Sequence, residues 1–510
     1  MYEICGRAVL DLYVQLAGSN LDSNPAESSA RDLLRLRPLA IELANGCMNT
    51  ESSDQVHPKR RCVTYKELLL LQIHMTRFPL TKPLLVFPLH SSLHMGSINT
   101  SENPSKFILT AEALNNALPE MHMATRAIHA DDFVSPHRAI APGMHTAVNF
   151  RYARDPDELV PEENKDPHAP YDSHIYSRYT APNSNRLEIL LRSLMGGEAI
   201  TYSTGLSAFH AMLILLNPKR IFIGDGYHGC HSVVDIIKRL TGIQKLDLTQ
   251  IDQAGPGDII HVETPLNPTG EARNLAYYRA KASEKGAYLT VDSTFAPPPL
   301  QNPLDFGADI VMHSGTKYVG GHSDMLCGIL VVHPDRVKEG WLKTLHTDRQ
   351  YIGSVMGSFE GWLGIRSART MQLRVTRQAQ TAEKLAAWLQ EQLEDATSPV
   401  AKVLSHVQHA SLQKDDLKDG WLRKQMPGGF GPVFAVWTKN PEHARRLPSR
   451  MFVFQHATSL GGVESLMEWR AMSDARCDHR LLRISCGIEE FDDLKADILQ
   501  GLESLLRDFP

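Results

Sequence analysis

At 510 residues, with 42% hydrophobic and 22% charged side chains, the chain has the make-up of a globular enzyme large enough for two or three domains. Its formal net charge of −5, spread without long runs of one sign, argues against a nucleic-acid-binding surface. No apolar run reaches membrane length, since Glu67–Phe87 is broken by His74, Arg77 and Lys82. The seven cysteines (Cys5, Cys47, Cys62, Cys230, Cys327, Cys477 and Cys486) stand singly with no CxxC pair, and no HExxH motif occurs among the histidines. That pattern argues against a metal site and for a reducing compartment. The opening MYEICGRAVLDLYVQ lacks the layout of a signal peptide, so a cytoplasmic location is expected.

In chain order, residues 1–135 read as an appended N-terminal segment, partly disordered, with short amphipathic helices expected at Arg31–Leu43 and Lys66–Met75. Arg151–Tyr171 is polar and proline-rich and reads as an exposed loop. An aromatic and arginine cluster, HIYSRYTAPN (His174–Asn183), then precedes a helix at Ser184–Met195, whose Leu187, Leu190, Leu191 and Leu194 share one face. From there strands and helices alternate. Strands are expected at Ala199–Tyr202, Arg220–Ile223, Asp258–Glu263 and Tyr288–Val291, and helices at Ala208–Leu216, His231–Leu240 and Leu275–Lys285. This alternation predicts an α/β fold with a mostly parallel sheet covered by helices. Long helical periodicity follows over Glu360–Leu389, and a smaller C-terminal α+β domain from about Val400. The expected division is 136–385 for a large domain with an N-terminal arm and 386–510 for the small one.

Two stretches carry chemistry. In ADIVMHSGTKYVGGHSD (Ala308–Asp324) a buried strand breaks into a loop holding Ser314, Thr316, Lys317, Gly320 and Gly321. A lysine directly after a buried strand is either a surface residue of a βα loop or a group kept for covalent chemistry or an anion. The second stretch, AYLTVDSTF (Ala287–Phe295), ends an apolar strand on Asp292, so both side chains would emerge at the carboxyl edge of the sheet. An aspartate opposite a reactive lysine suits pyridoxal 5'-phosphate: the carboxylate keeps the pyridine nitrogen protonated and the lysine forms the Schiff base. STGLSA (Ser203–Ala208), between a strand and a helix, is either a simple N-cap or a phosphate cradle.

VDSTF, HSGTKYVGGHSD, SLGGVESL and LLRISCGIE, in that order, resemble the Cys/Met-metabolism (trans-sulfuration) family of pyridoxal-phosphate enzymes, most of all its cystathionine γ-synthases. The resemblance implies fold-type I architecture. It also implies phosphate binding by the backbone of Gly205 and Leu206 with the hydroxyls of Ser314 and Thr316, a ring stacked on by Tyr227, and Asn267 near the phenolic oxygen. Lys317 would be the Schiff-base lysine and Asp292 its counterpart at the pyridine nitrogen, with Tyr227 counted among the catalytic groups. Arg483 would clamp the substrate α-carboxylate with help from Ser459. Tyr176 and Arg178 match a YSR motif that reaches the phosphate of a neighbouring subunit, implying a homodimer or homotetramer with shared sites. Thr458 stands where several γ-synthases carry glutamate, MEWRAMSDAR replaces the segment after VESL, and Ser293 replaces a common asparagine.

The implied activity is γ-replacement on an O-activated homoserine with a thiol, using small amino-acid substrates and no nucleic acid, membrane or metal. A cystathionine lyase, an O-acylhomoserine sulfhydrylase and substitution by a carbon or nitrogen nucleophile stay open, as does a catalytically idle member acting as a binding or regulatory protein.

Overall fold

A computed structural model describes residues 111–134, 139–164 and 174–509. The helices expected at Arg31–Leu43 and Lys66–Met75 lie outside them, as does 165–173 of the expected exposed loop.

The central sheet is built from β1 (Glu198–Tyr202), β2 (Arg220–Ile223), β3 (Gln244–Leu246), β4 (Ile259–Glu263), β5 (Tyr288–Asp292), β6 (Ile310–Ser314) and β7 (Gly328–Val332). Their order is β1-β7-β6-β5-β4-β2-β3. β7 runs antiparallel to both β1 and β6, and every other pair is parallel. The fold is therefore the expected α/β arrangement with a mostly parallel sheet. β4 is buried along its whole length, because helices cover both faces and leave no side for polar residues. A second sheet has the order β10-β11-β9-β8, all antiparallel, with β8 at Leu404–Gln408, β9 at Val433–Thr438, β10 at Leu466–Trp469 and β11 at Leu481–Ser485.

One helix, Met371–Gln392, belongs to both cores. Its Met371, Val375 and Ala379 pack with the apolar residues of the large sheet. From Ala382 onward, through Leu385, Ala386 and Leu389, it packs instead against the smaller sheet and the C-terminal helix Phe491–Asp508. The periodic stretch expected at Glu360–Leu389 is thus divided, a separate helix, Ser358–Ala368, preceding this one. Residues 111–134 include the helices Ala111–Ala117 and Met123–His129, and beyond them Asp131 is fully buried between Arg186 and Arg369.

Local sequence sets the element ends that matter for the site. The helix after β1 starts at Gly205, three residues ahead of the expected Ala208, because Thr204 caps it. Thr204 Oγ1 accepts from Ser207 N–H at 3.1 Å, and Ser207 Oγ accepts from Thr204 N–H at 3.0 Å. Gly205 and Leu206 therefore occupy the first turn, where backbone N–H groups have no partner within the helix. Thr204→Ala removes the reciprocal pair and is expected to lower stability by about 1 kcal/mol. The midpoint of a denaturant melt at unchanged slope measures this.

Candidate active site

The site lies where the parallel strands β4, β5 and β6 end, on Glu263, Asp292 and Ser314. A cavity of about 340 Å³ opens there. It is lined by Gly205, Leu206, Tyr227, Asn267, Asp292, Ser314, Thr316, Lys317, Ser459 and Arg483. Residues from separate loops and from both sheets thus converge. Tyr176 and Arg178 are not among the lining residues. The Arg178 guanidinium lies 5.3 Å from the Tyr176 ring centroid and 5.5 Å from that of Tyr179, and its Nη1 donates to Gln350 O at 3.2 Å.

Lys317 follows β6 by three residues and is partly buried. Its Nζ donates to Ser459 Oγ at 2.7 Å. Burial, and then the nearby Arg483 cation, lower its pKa to about 8, against the opposing pull of Glu468 and Asp292. The loop that brings Ser459 in is unusual. Ser459 itself has φ 71°, and Gly461 (φ +87°) sits so close to Lys317 that a Cβ there would meet the Lys317 carbonyl carbon at 2.7 Å. Only glycine permits that approach, and left-handed backbone at a non-glycine residue is costly.

Asp292 is buried and its Oδ1 accepts from Thr294 N–H at 2.9 Å and Thr294 Oγ1 at 2.6 Å. Burial raises its pKa despite these bonds and the Lys317 charge. Next to it Glu263, opposite Asp292 in register across β4 and β5, is pushed up to about 8 by burial and by the Asp292 charge. Glu263 also organises the backbone around the cavity. Its Oε2 accepts from Tyr227 N–H at 2.8 Å and its Oε1 from Asn267 N–H at 2.6 Å, so one carboxyl group fixes two of the expected site residues at once. Glu263 was not singled out in the sequence, where it reads as the end of one more apolar strand.

Arg483, on β11, is buried and paired with Glu468 on β10 at 2.5 Å, the two being direct cross-strand partners. Its Nη1 donates to Asn267 Oδ1 at 3.1 Å and its Nη2 to Ser459 O at 2.9 Å. His228, Arg470 and Ser473 also line the cavity; the latter two belong to MEWRAMSDAR, marked in the sequence as a departure but without roles for single residues.

The sequence model of the family described as Cys/Met metabolism PLP-dependent enzyme matches residues 124–503. The chain belongs to this family. Among the curated relatives of this family member, the cystathionine γ-lyase of Saccharomyces cerevisiae is 30% identical over 407 residues, 74% of this chain and 97% of its own. The cystathionine γ-synthase of Escherichia coli is 33% identical over 358 residues, covering 65% and 88%. The crystal structure of metB from Corynebacterium glutamicum superposes with a TM-score of 0.66 at 29% identity, over 76% of this chain and 99% of that one.

The family's cofactor, pyridoxal phosphate, fits the residues present. Two uncommitted N–H groups at the start of a helix, beside the Ser314 and Thr316 hydroxyls, suit a phosphate. A Cβ at Gly205 would come within 3.2 Å of the Ser314 side chain, so glycine keeps the cradle uncrowded. The buried Asp292 suits a protonated pyridine nitrogen, and a lysine lowered to about 8 suits an aldehyde carbon. Only the neutral amine attacks an aldehyde. In cofactor-free protein, the rate of covalent cofactor capture should therefore rise with pH and level off above about 8. Stopped-flow absorbance across pH checks this, an unshifted lysine giving a rate that still climbs towards 10.5.

As a Cys/Met metabolism PLP-dependent enzyme, the protein draws its electron sink from the cofactor, while its own side chains bind, orient and move protons. Among the described residues no helix is long and apolar enough to cross a membrane.

Proposed function

We propose that the enzyme carries out γ-replacement: an O-acylated homoserine loses its carboxylic acid and a thiol takes its place as a thioether. The observation that carries this reading is the Lys317 amine, lowered to about 8 and held on Ser459 Oγ inside the cavity. Of the other titratable lining groups, Glu263 holds two backbone N–H groups and His228 stands against Arg470. Replacement at Cγ needs protons moved at both Cα and Cβ, and one flexible lysine reaches both. Arg483 and Ser459 would hold the α-carboxylate, Tyr227 would face the cofactor ring, and Asn267 would sit at its phenolic side. The cavity brings these groups into one chamber, which supports the assignment.

Identity is 33% to the E. coli synthase and 30% to the yeast lyase, values too close to separate the two directions. The lyase reading draws on the longer alignment with the yeast enzyme, over 74% of the chain. Holoenzyme given O-acetyl- or O-succinyl-L-homoserine with L-cysteine is expected to form the thioether and release the acid. Release of an oxo acid from L-cystathionine, with no thioether formed from either ester, would overturn the synthase reading.

A shared site is part of the proposal. Arg178 lies outside the cavity of its own chain, which fits a role towards a second copy. Arg178→Ala and Lys317→Ala variants are each expected to be inactive, and subunit exchange between them to restore up to about a quarter of wild-type activity, the limit for random dimers with one intact site of two. No recovery under proven exchange would place Arg178 in its own chain's service. A reducing, cytoplasmic setting accords with the unpaired, buried Cys230, Cys327 and Cys486.

A further inference from the structure

The connection between β10 and β11, residues 470–480, brings a second guanidinium into the cavity. Arg470 is 2% exposed, as is Glu468, and Arg483 is 4% exposed. Both arginines turn to the same oxygen, Glu468 Oε2, Arg483 at 2.5 Å and Arg470 at 3.3 Å. One carboxylate thus faces two cations, and the next nearest, Asp474, stands 4.0 Å from His228 Nδ1.

Arg470 is held on three sides. Nη1 also donates to Ser473 Oγ at 2.9 Å, and Ser473 Oγ in turn donates to Glu468 Oε1 at 2.6 Å. Nη2 meets His228 Nδ1 at 3.3 Å. Burial and the Arg470 charge lower the His228 pKa, so a neutral ring stands there as acceptor rather than as a competing cation. The Arg470 Nε–H, however, is buried with no hydrogen-bond partner among the described residues. A buried donor left unmatched is costly, and a rigidly held guanidinium is shaped to grip a carboxylate.

Resting on the reading of this cavity as an amino-acid site, we propose that Arg470 is a specificity-determining residue that binds a second carboxylate of the substrate, beyond the one assigned to Arg483. Two substrate carboxylates have the right chemistry: the free end of a dicarboxylic acyl group on the homoserine, and the carboxylate of an incoming amino-acid thiol. Arg470 separates substrates that carry such a group from those that end in an uncharged one. His228 and Ser473 set the direction of its fork.

The test compares dissociation constants on holoenzyme, read from the change in cofactor absorbance, for two pairs of probes. O-Succinyl- against O-acetyl-L-homoserine probes the acyl carboxylate, and L-cystathionine against L-methionine probes the thiol-derived one. Wild type is expected to favour the carboxylate-bearing member of at least one pair by about tenfold or more, the value of a charge-assisted bond, and Arg470→Gln to lower that ratio by about the same factor. The pair that responds identifies the source. A ratio near one in wild type for both pairs, or an equal loss for both members in Arg470→Gln, would overturn the proposal, the second outcome assigning Arg470 to the α-carboxylate or to the fold. Ratios taken within one preparation cancel any unfolded fraction. Should Arg470→Gln yield no folded protein, Arg470→Lys keeps the charge without the fork and is expected to give an intermediate ratio, an unaltered ratio again overturning the proposal. Because binding is read without turnover, failure of either ester to react overturns the replacement reaction alone.

Discussion

Lys317→Ala is expected to abolish covalent attachment of the cofactor and to lower turnover by roughly 10³-fold or more, since the variant loses both the nucleophile and the base assigned to that amine. The fold should survive. Nζ makes a single side-chain hydrogen bond, to Ser459 Oγ, and the ammonium form is disfavoured by burial. The sign of the stability change follows from its pKa. The folded value of about 8 lies below the ordinary 10.5, so between them the unfolded chain binds more protons, and stability rises with pH. At neutral pH the buried amine is a cost, and the cofactor-free variant should melt no lower than the cofactor-free wild type. Borohydride reduction followed by mass spectrometry of the intact chain decides the point: a retained pyridoxyl adduct on the variant would remove Lys317 from its assigned role.

Asp292→Asn is expected to bind cofactor and to react on the order of 10²–10⁴ times more slowly, because a buried cation left without its counter-charge costs roughly 3–5 kcal/mol. The substitution isolates charge from structure. Both bonds at Oδ1 come from Thr294 donors, and an amide oxygen can accept both, though more weakly than a carboxylate. A nearby cation favours the ionised form of a carboxyl that burial makes reluctant to ionise, and the pyridine nitrogen of a bound cofactor would supply one. Near-normal turnover in Asp292→Asn would mean that its carboxylate serves Thr294 alone.

The strand-end placement of Asp292 and Lys317 was legible in the sequence, and the reason is local. Asp292 and Lys317 each sit at or just past the end of a short apolar strand, and strand ends at the carboxyl edge of a parallel sheet are where ligands bind. The strands Arg220–Ile223 and Tyr288–Asp292 and the helix Leu275–Lys285 were likewise visible as apolar runs and a closing glycine. Other features depended on tertiary context. β7, Gly328–Val332, is buried throughout, and an unbroken apolar run states neither its direction nor its place between β1 and β6. MEWRAMSDAR stands out in the sequence only as a departure after VESL, and nothing in it says that Glu468 and Arg470 are buried. What buries them is the cross-strand pairing with Arg483 and a contact between Arg470 and His228, 242 positions earlier. No window of sequence spans that distance.

The joint authorship of the cavity bears on how such an enzyme diverges. Glu263, Asp292 and Ser314, at one end of the cavity, close β4, β5 and β6 within the large sheet. The groups at the other end hang from the connection 470–480, which answers only to β10, β11 and the few residues it touches. On the role proposed for Arg470, editing this one hairpin connection would change which molecules are admitted while leaving Asp292 and Lys317 in place.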